Sequence, residues 1–456
     1  MQNKKQSYLL GAVIISVGGF ISKALGAVYR IPLTAVLGGE GMGIYQMVYP
    51  LYCILLTVSA SGIPTGIARL ISSGKGGGAE KTAFGIYGAV GIIGTLIMYL
   101  LSEPLAALQG EPPVSLCCKM LCPSVFFVSV LSVVRGYFQG LGNMYPTAIT
   151  EVAEQVVKVA VGVGLSYYFR ADTELAVAST LFAVTVSELV SAAGAYLYYI
   201  KNRPRRPLFR ERSVNVSAIL KYTLPLTFTA IALPLSQLAE SVVAVRILRG
   251  TFGDATALYG IYSGCAMTII NLPVSVTYGL AASIVPQISP LAESGKFSAA
   301  KSKAYRALLI TLAVSALAAV ALYIFSPLAA RLIFGSLSVE ERGILVSLVR
   351  TLAVSAVTQS LVQTSSACIT ALGKPVLGTV TQWVTCILRV GLTAVLTAFT
   401  PMGIFGAAWS ANFAFFVATL LNICYIIWAG VKNENNVDRF GKRMRRLDPS
   451  GQGGAR

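Results

Sequence analysis

The sequence predicts an all-α polytopic membrane protein of about twelve transmembrane helices. Three observations predict it. Of 456 residues, 55% are hydrophobic and only 12% charged, about half the charged share of a soluble domain. The apolar residues fall in runs of about 20 or more, the length that crosses a bilayer core. The basic residues collect in alternate connections between those runs, as cytoplasmic loops require.

The spans lie near 8–37, 42–71, 83–108, 114–141, 146–168, 175–200, 215–248, 257–289, 303–333, 343–371, 375–399 and 401–429. The first is too long for a cleaved signal peptide and is interrupted by Lys23 and Arg30. Counting from a cytoplasmic N-terminus, the inner connections hold Arg69, Lys75, Lys81, seven bases between Lys201 and Lys221, Lys296, Lys301, Lys303, Arg306 and Lys374. The outer connections hold few bases, and acids such as Glu103, Glu111, Asp172 and Glu341 offset them. Both termini are therefore expected in the cytoplasm of a bacterial inner-membrane protein. The net charge of +18 is a topology signal and predicts no nucleic-acid partner. The tail Arg439–Arg446 reads as a retention flank that also suits anionic lipid headgroups.

Eight cysteines lie in or near apolar runs, and there is no histidine. Cys117-Cys118-x-x-x-Cys122 reads as packing, because small polarizable side chains suit membrane helices. No metal or cofactor is expected. No nucleophile–base pair or nucleotide motif occurs. Ser59–Gly66 is a small-residue stretch that permits close helix approach, not a phosphate loop.

The spans form two sixes. Residues 1–212 read as an N-terminal six-helix lobe with its cytoplasmic linker, 213–430 as a C-terminal six-helix lobe, and 431–456 as a basic cytoplasmic tail. Gly43-Ile44-Tyr45 lies over Gly260-Ile261-Tyr262, and at the same offset Gly62 lies over Gly279. Gly140-Leu-Gly142 and Pro146 lie over Ala371-Leu-Gly373 and Pro375, with Lys158 opposite Arg389. An even span count per half makes the repeats parallel, about an axis along the membrane normal, with a cavity between them. That is a transporter plan. Gly62 and Gly279 are expected where the two lobes approach closely.

Charges inside the spans carry the functional signal, since each costs several kcal/mol unless it faces a cavity and finds a partner. The deep set is mainly basic. Lys23, Arg30, Lys158 and Arg389, with the polar Gln46, are the candidate substrate-binding residues, suited to a phosphate or pyrophosphate. A structural alternative pairs Lys158 with Glu154. Glu240, alone among acids well inside the seventh span, is the candidate coupling or gating acid for H+ or Na+. Its structural alternative is a static ion pair with Arg246 or Lys23.

Ile21–Thr34 and Gly41–Pro50, with Ser61-Gly-Ile-Pro-Thr65, Arg135-Gly-Tyr-Phe-Gln-Gly140 and Asn271-Leu-Pro273, resemble the stage V sporulation protein B-like, polysaccharide-biosynthesis branch of the multidrug/oligosaccharidyl-lipid/polysaccharide exporter superfamily. The resemblance covers nearly the whole chain and implies flipping of an undecaprenyl-pyrophosphate-linked saccharide or peptidoglycan precursor, for the cell envelope or spore cortex. Related lipid II flippases use basic cavity residues on the first span, which map to Lys23 and Arg30. Two departures stand out. Those flippases carry a further helix pair after the twelfth span, where this chain turns polar after Gly430. They also place an Arg just before the second-span proline, where this chain reads Met47-Val-Tyr-Pro50.

The expectation is a monomeric alternating-access flippase, not an enzyme, with a lipid-linked saccharide as substrate and membrane lipids around it. A cation-coupled multidrug antiporter of the same fold is the alternative, although it usually presents acids on the first span, where this chain has none before Glu40. A membrane-embedded glycosyl transferase or ligase is the lesser alternative, and would need acid–base residues on a substantial outer loop.

Overall fold

A computed structural model describes residues 8–61, 63–72, 79–202, 216–250 and 254–447. Among the described residues every regular element is helical, and ten stretches are long and apolar enough to cross a membrane. Two features separate that ten from the expected twelve. The first two spans run together as α1 (Tyr8–Leu56), kinked where Gly38 takes φ 64° and ψ −168°. Glycine alone adopts that conformation readily, and the kink falls in the expected gap between spans. The other is α6 (Tyr145–Tyr168), which is long enough but carries Glu151, Glu154 and Lys158 in its middle.

α1 continues through a π-helical turn, Thr57–Ser61, into α2 (Ile63–Ser72). After α3 (Ala79–Gln109), the fourth span is split into α4 (Pro113–Leu121) and α5 (Ser124–Gly140). Pro123 causes the split, because its ring excludes the carbonyl four residues back and it has no N–H to donate. Side chains take over the stranded carbonyls and supplement Cys122 O, which also accepts from Val125 N. Cys122 Sγ donates to Lys119 O at 3.2 Å and Thr185 Oγ1 to Met120 O at 2.8 Å. Ser124 Oγ donates to Leu121 O at 2.5 Å and Thr95 Oγ1 to Cys122 O at 3.2 Å. Such substitution lets a broken helix persist in a bilayer. Cys122 thus serves the break, while Cys117 and Cys118 are buried in packing. α7 (Thr173–Asn202) completes the first six spans.

The second set begins with α8 (Val216–Arg249). α9 (Ala255–Tyr259) passes through a second π-helical turn, Gly260–Ala266, into α10 (Met267–Glu293). Then come α11 (Phe297–Ile333), α12 (Val339–Ala371), α13 (Pro375–Phe399) and α14 (Ile404–Leu447).

The aligned glycines of the two halves share a conformation. Gly142 has φ 77° and Gly373 φ 83°. Each closes a helix with the same six-to-one bond, from Asn143 N to Phe138 O at 2.9 Å and from Lys374 N to Ile369 O at 3.2 Å. Both are Schellman caps, which need a left-handed residue at that position.

Packing groups the described residues into two compact units. One draws on 1–269, 324–351 and 386–410, the other on 270–323, 352–385 and 411–456. In the first unit, Ile63, Ile67 and Ile71 of α2 pack with Leu131, Val134 and Phe138 of α5. Gly136 and Gly140 make this possible. A Cβ on Gly136 would lie 2.8 Å from Pro64 Cα, and one on Gly140 would lie 2.7 Å from Ile71 Cβ. In the second unit, Ile288, Ala304, Cys368, Ile369 and Ile426 form the core. There α12 is the hub of a polar lattice. Ser360 Oγ accepts from Thr277 at 2.9 Å, Thr364 and Thr311 meet at 3.0 Å, and Asn422 Nδ2 donates to Ser365 Oγ at 2.9 Å. Lipid is as apolar as leucine, so such polar links and close packing hold membrane helices together.

One expectation about close approach is corrected. Gly279 is exposed and a Cβ there would meet nothing within 4 Å. Gly62 lies outside the described residues, as do 203–215 of the linker and the side chains of the tail. Within the first unit, the close approach between the second and eighth spans falls on the other aligned pair, Gly43 and Gly260. A Cβ on Gly260 would stand 3.0 Å from Gly43 Cα. A Cβ on Gly43 would stand 2.9 Å from Thr256 Cγ2.

Candidate functional site

The seam at Gly43 and Gly260 sets the candidate site. Glycine at both positions lets the second part of α1 lie directly on the π-helical turn Gly260–Ala266. A π turn inserts a residue into the ladder and misaligns its carbonyls. Two of those carbonyls are taken by side chains of α1. Gln46 Nε2 donates to Ser263 O at 2.7 Å. Arg30 Nη1 donates to Gly264 O at 3.0 Å and to Thr268 Oγ1 at 2.6 Å. The Thr268 hydroxyl in turn donates to Gly264 O. All these residues belong to the first compact unit.

Behind Arg30 lies a second charged group on α6. Lys158 is within electrostatic reach of Arg30, Glu154, Glu188 and Cys53. Arg135 of α5 donates from Nε to Thr150 Oγ1 at 2.9 Å and from Nη2 to Glu154 Oε2 at 3.2 Å. Glu188 of α7 is 2% exposed and accepts from Tyr52 Oη at 3.3 Å. Arg30 and Lys158 are therefore brought into one region, with Glu154 drawn toward Arg135 as well as Lys158. Lys23 lies in α1, but its side chain is outside the described residues.

Arg389 and Glu240 form a separate buried cluster. Arg389 Nε donates to Glu240 Oε1 at 3.1 Å and Nη2 to Glu240 Oε2 at 2.5 Å, a bidentate pair. Tyr262 Oη stands 3.1 Å from Glu240 Oε1 and 3.3 Å from Arg389 Nη2. Arg389 is 5% exposed and Glu240 1%. Of the structural alternatives for Glu240, the pair with Arg246 is corrected here, since the described partner is Arg389, and the pair with Lys23 falls on a side chain outside the described residues. Arg246 lies six residues along α8, about 120° round the helix from Glu240, and is exposed. Charge alone does not single out Tyr262 or Thr268. Tyr262 stood in the Gly260-Ile-Tyr262 repeat, which was a usable signal. Thr268 had none, because a lone threonine in an apolar span is ordinary.

At the turn between α3 and α4, Glu111 accepts from Arg249 and from Thr256, and Gly110 O accepts from Arg249. The turn between the third and fourth spans is thereby tied to both sides of the connection between α8 and α9. Nothing in either cluster pairs a nucleophile with a base, and among the described residues no group of acids, cysteines or histidines is placed to hold a metal. The arrangement concentrates charge within the spans.

The family model described as "Polysaccharide biosynthesis protein" matches residues 9–292. Stage V sporulation protein B of Bacillus subtilis (strain 168) is 29% identical over 353 residues, 73% of this chain and 68% of that protein. Lipid II flippase MurJ of the same organism is 24% identical over 324 residues, 63% of this chain and 59% of that protein. The fold is that of a solved multidrug resistance MATE family transporter of the MOP superfamily in an inward-facing conformation. The TM-score is 0.79 at 17% identity, over 93% of this chain and 99% of that one.

Proposed function

The chain belongs to the polysaccharide biosynthesis protein family, and from that premise we propose that it is an alternating-access flippase for a lipid-linked saccharide or peptidoglycan precursor of the undecaprenyl-pyrophosphate type. It is a multi-pass membrane transporter of the MOP type and not an enzyme. Its substrate and mode of coupling are proposals. The observation that carries them is Arg30, a half-buried base deep in the first span, with Lys158 of α6 in its electrostatic reach. Lys158 has Glu154 and Glu188 in reach, but Arg30 is held by neutral acceptors alone, Gly264 O and Thr268 Oγ1, and a base left so inside a span is costly unless an anion is to be met there. Lys23, Gln46 and Arg389 complete the proposed substrate set.

Arg389 enters the proposal through Glu240. While Glu240 is ionised, Arg389 is neutralised by it. A proton or a Na+ ion on the Glu240 carboxylate would free Arg389 for a phosphate. Glu240 is thus the proposed coupling acid, and the two lobes 1–212 and 213–430 are the proposed moving bodies. The protein is proposed to work as a monomer in the bacterial inner membrane, with both termini cytoplasmic. The test is complementation of a host lacking its own flippases, with insertion checked by immunoblot. Arg30→Ala and Lys158→Ala are expected to insert and fail to complement. Growth with both variants would overturn the anion site, and export of cationic dyes by the intact protein would favour the drug-antiporter reading.

A further inference from the structure

Thr268 is buried and sits at the far end of a polar link across the first unit. Arg30 and Thr268 are 238 residues apart and come from opposite halves of the chain. The three groups Arg30 Nη1, Thr268 Oγ1 and Gly264 O form a closed triangle, in which the hydroxyl accepts from the arginine and donates to the carbonyl. Only Nη1 is used. Among the described residues Nε and Nη2 of Arg30 have no hydrogen-bond partner, and these two nitrogens form the edge that grips a phosphate in bidentate fashion.

We infer that Thr268 is a positioning residue for anion binding. Held by Nη1 against the second half, the Arg30 guanidinium is fixed with its Nε/Nη2 edge presented. The hold exists only while α1 lies on the π-helical turn, which is the contact that Gly43 and Gly260 permit. Once the seam parts, Arg30 loses both acceptors and the fixed geometry with them. Anion affinity is therefore tied to the state of the seam, high when it is closed and low when it is open. This inference rests on the reading of Arg30 as the anion-binding group.

The test uses the purified full chain in nanodiscs and inorganic pyrophosphate as probe, with the dissociation constant and the melting temperature measured together. Thr268→Val is expected to weaken pyrophosphate binding about tenfold, roughly one charge-assisted hydrogen bond, and Thr268→Ser to restore it. Thr277→Val removes a comparable buried hydroxyl that bonds Ser360. It is expected to lower the melting temperature and leave pyrophosphate affinity unchanged, which separates positioning from a general loss of packing. Gly260→Leu, which forces the seam apart, is expected to weaken binding as Thr268→Val does. If Arg30→Ala weakens binding while Thr268→Val and Gly260→Leu both bind like the unaltered protein, the positioning role is overturned and the anion site stands. If Arg30→Ala itself binds like the unaltered protein, the anion site fails and the positioning role with it.

Discussion

Arg389 and Glu240 satisfy each other in a place where neither tolerates being alone. Removing one member of a buried pair strands the other charge, at a cost of about 3–5 kcal/mol. Arg389→Ala is therefore expected to lower the melting temperature in detergent markedly, and Arg389→Gln with Glu240→Gln to recover most of it. Equal melting temperatures for the single and double variants would show that the pair does not carry that energy. Glu240→Gln also tests coupling. It keeps the shape and the bond to Tyr262 while removing the charge, and transport in vesicles is expected to lose its dependence on pH. An unchanged rate and pH profile would remove Glu240 from the coupling step. At this scale the sequence was a good guide to which residues matter and a poor one to their partners. Lys158, Arg389 and Glu240 stand out because charge in an apolar run is costly wherever it points. That Glu240 meets Arg389, 149 residues away, depends on how α8 and α13 pack, which no local pattern encodes.

Among the elements, α2 and α5 show how small residues set helix spacing. The motif Arg135-Gly-Tyr-Phe-Gln-Gly140 places glycines one turn apart, and both face α2. A methyl group on Gly136 would fall against Pro64 backbone, which yields less readily than a side chain end. Gly136→Ala is expected to cost about 1–3 kcal/mol by overpacking, read as a drop in melting temperature. Gly279→Ala, with open space around it, is expected to change nothing. The reverse ranking would mean that α2 and α5 are not packed through these glycines. The spans themselves were legible from length and hydropathy, down to the gap that Gly38 fills. The π-helical turns were not. The second depends on a neighbouring helix supplying donors to misaligned carbonyls, as Gln46 and Arg30 do for Gly260–Ala266, so its signal lies in residues more than two hundred positions away.

For the whole molecule, the sequence repeat makes a mechanical prediction that the seam sharpens. If the lobes 1–212 and 213–430 rock about the 201–214 linker as proposed, they must part somewhere. The aligned glycines Gly43 and Gly260 mark that place by their contact, and Glu111 with Arg249 and Thr256 adds a polar tie nearby. A cysteine pair to test this belongs at Gly39 and Ile261, since a Cβ on Gly39 would lie 3.5 Å from Ile261 Cγ1. On a background with the eight native cysteines replaced, Gly39→Cys with Ile261→Cys is expected to crosslink under mild oxidation. The crosslink should block transport, and reduction should restore it. Weakening that tie with Glu111→Gln should slow crosslinking by making the closed seam less populated, and higher salt should do the same to the unaltered Glu111 protein, because an exposed pair is screened. Transport that continues with the crosslink fully formed would mean the seam never has to open, and motion of the two lobes about it would have to be given up.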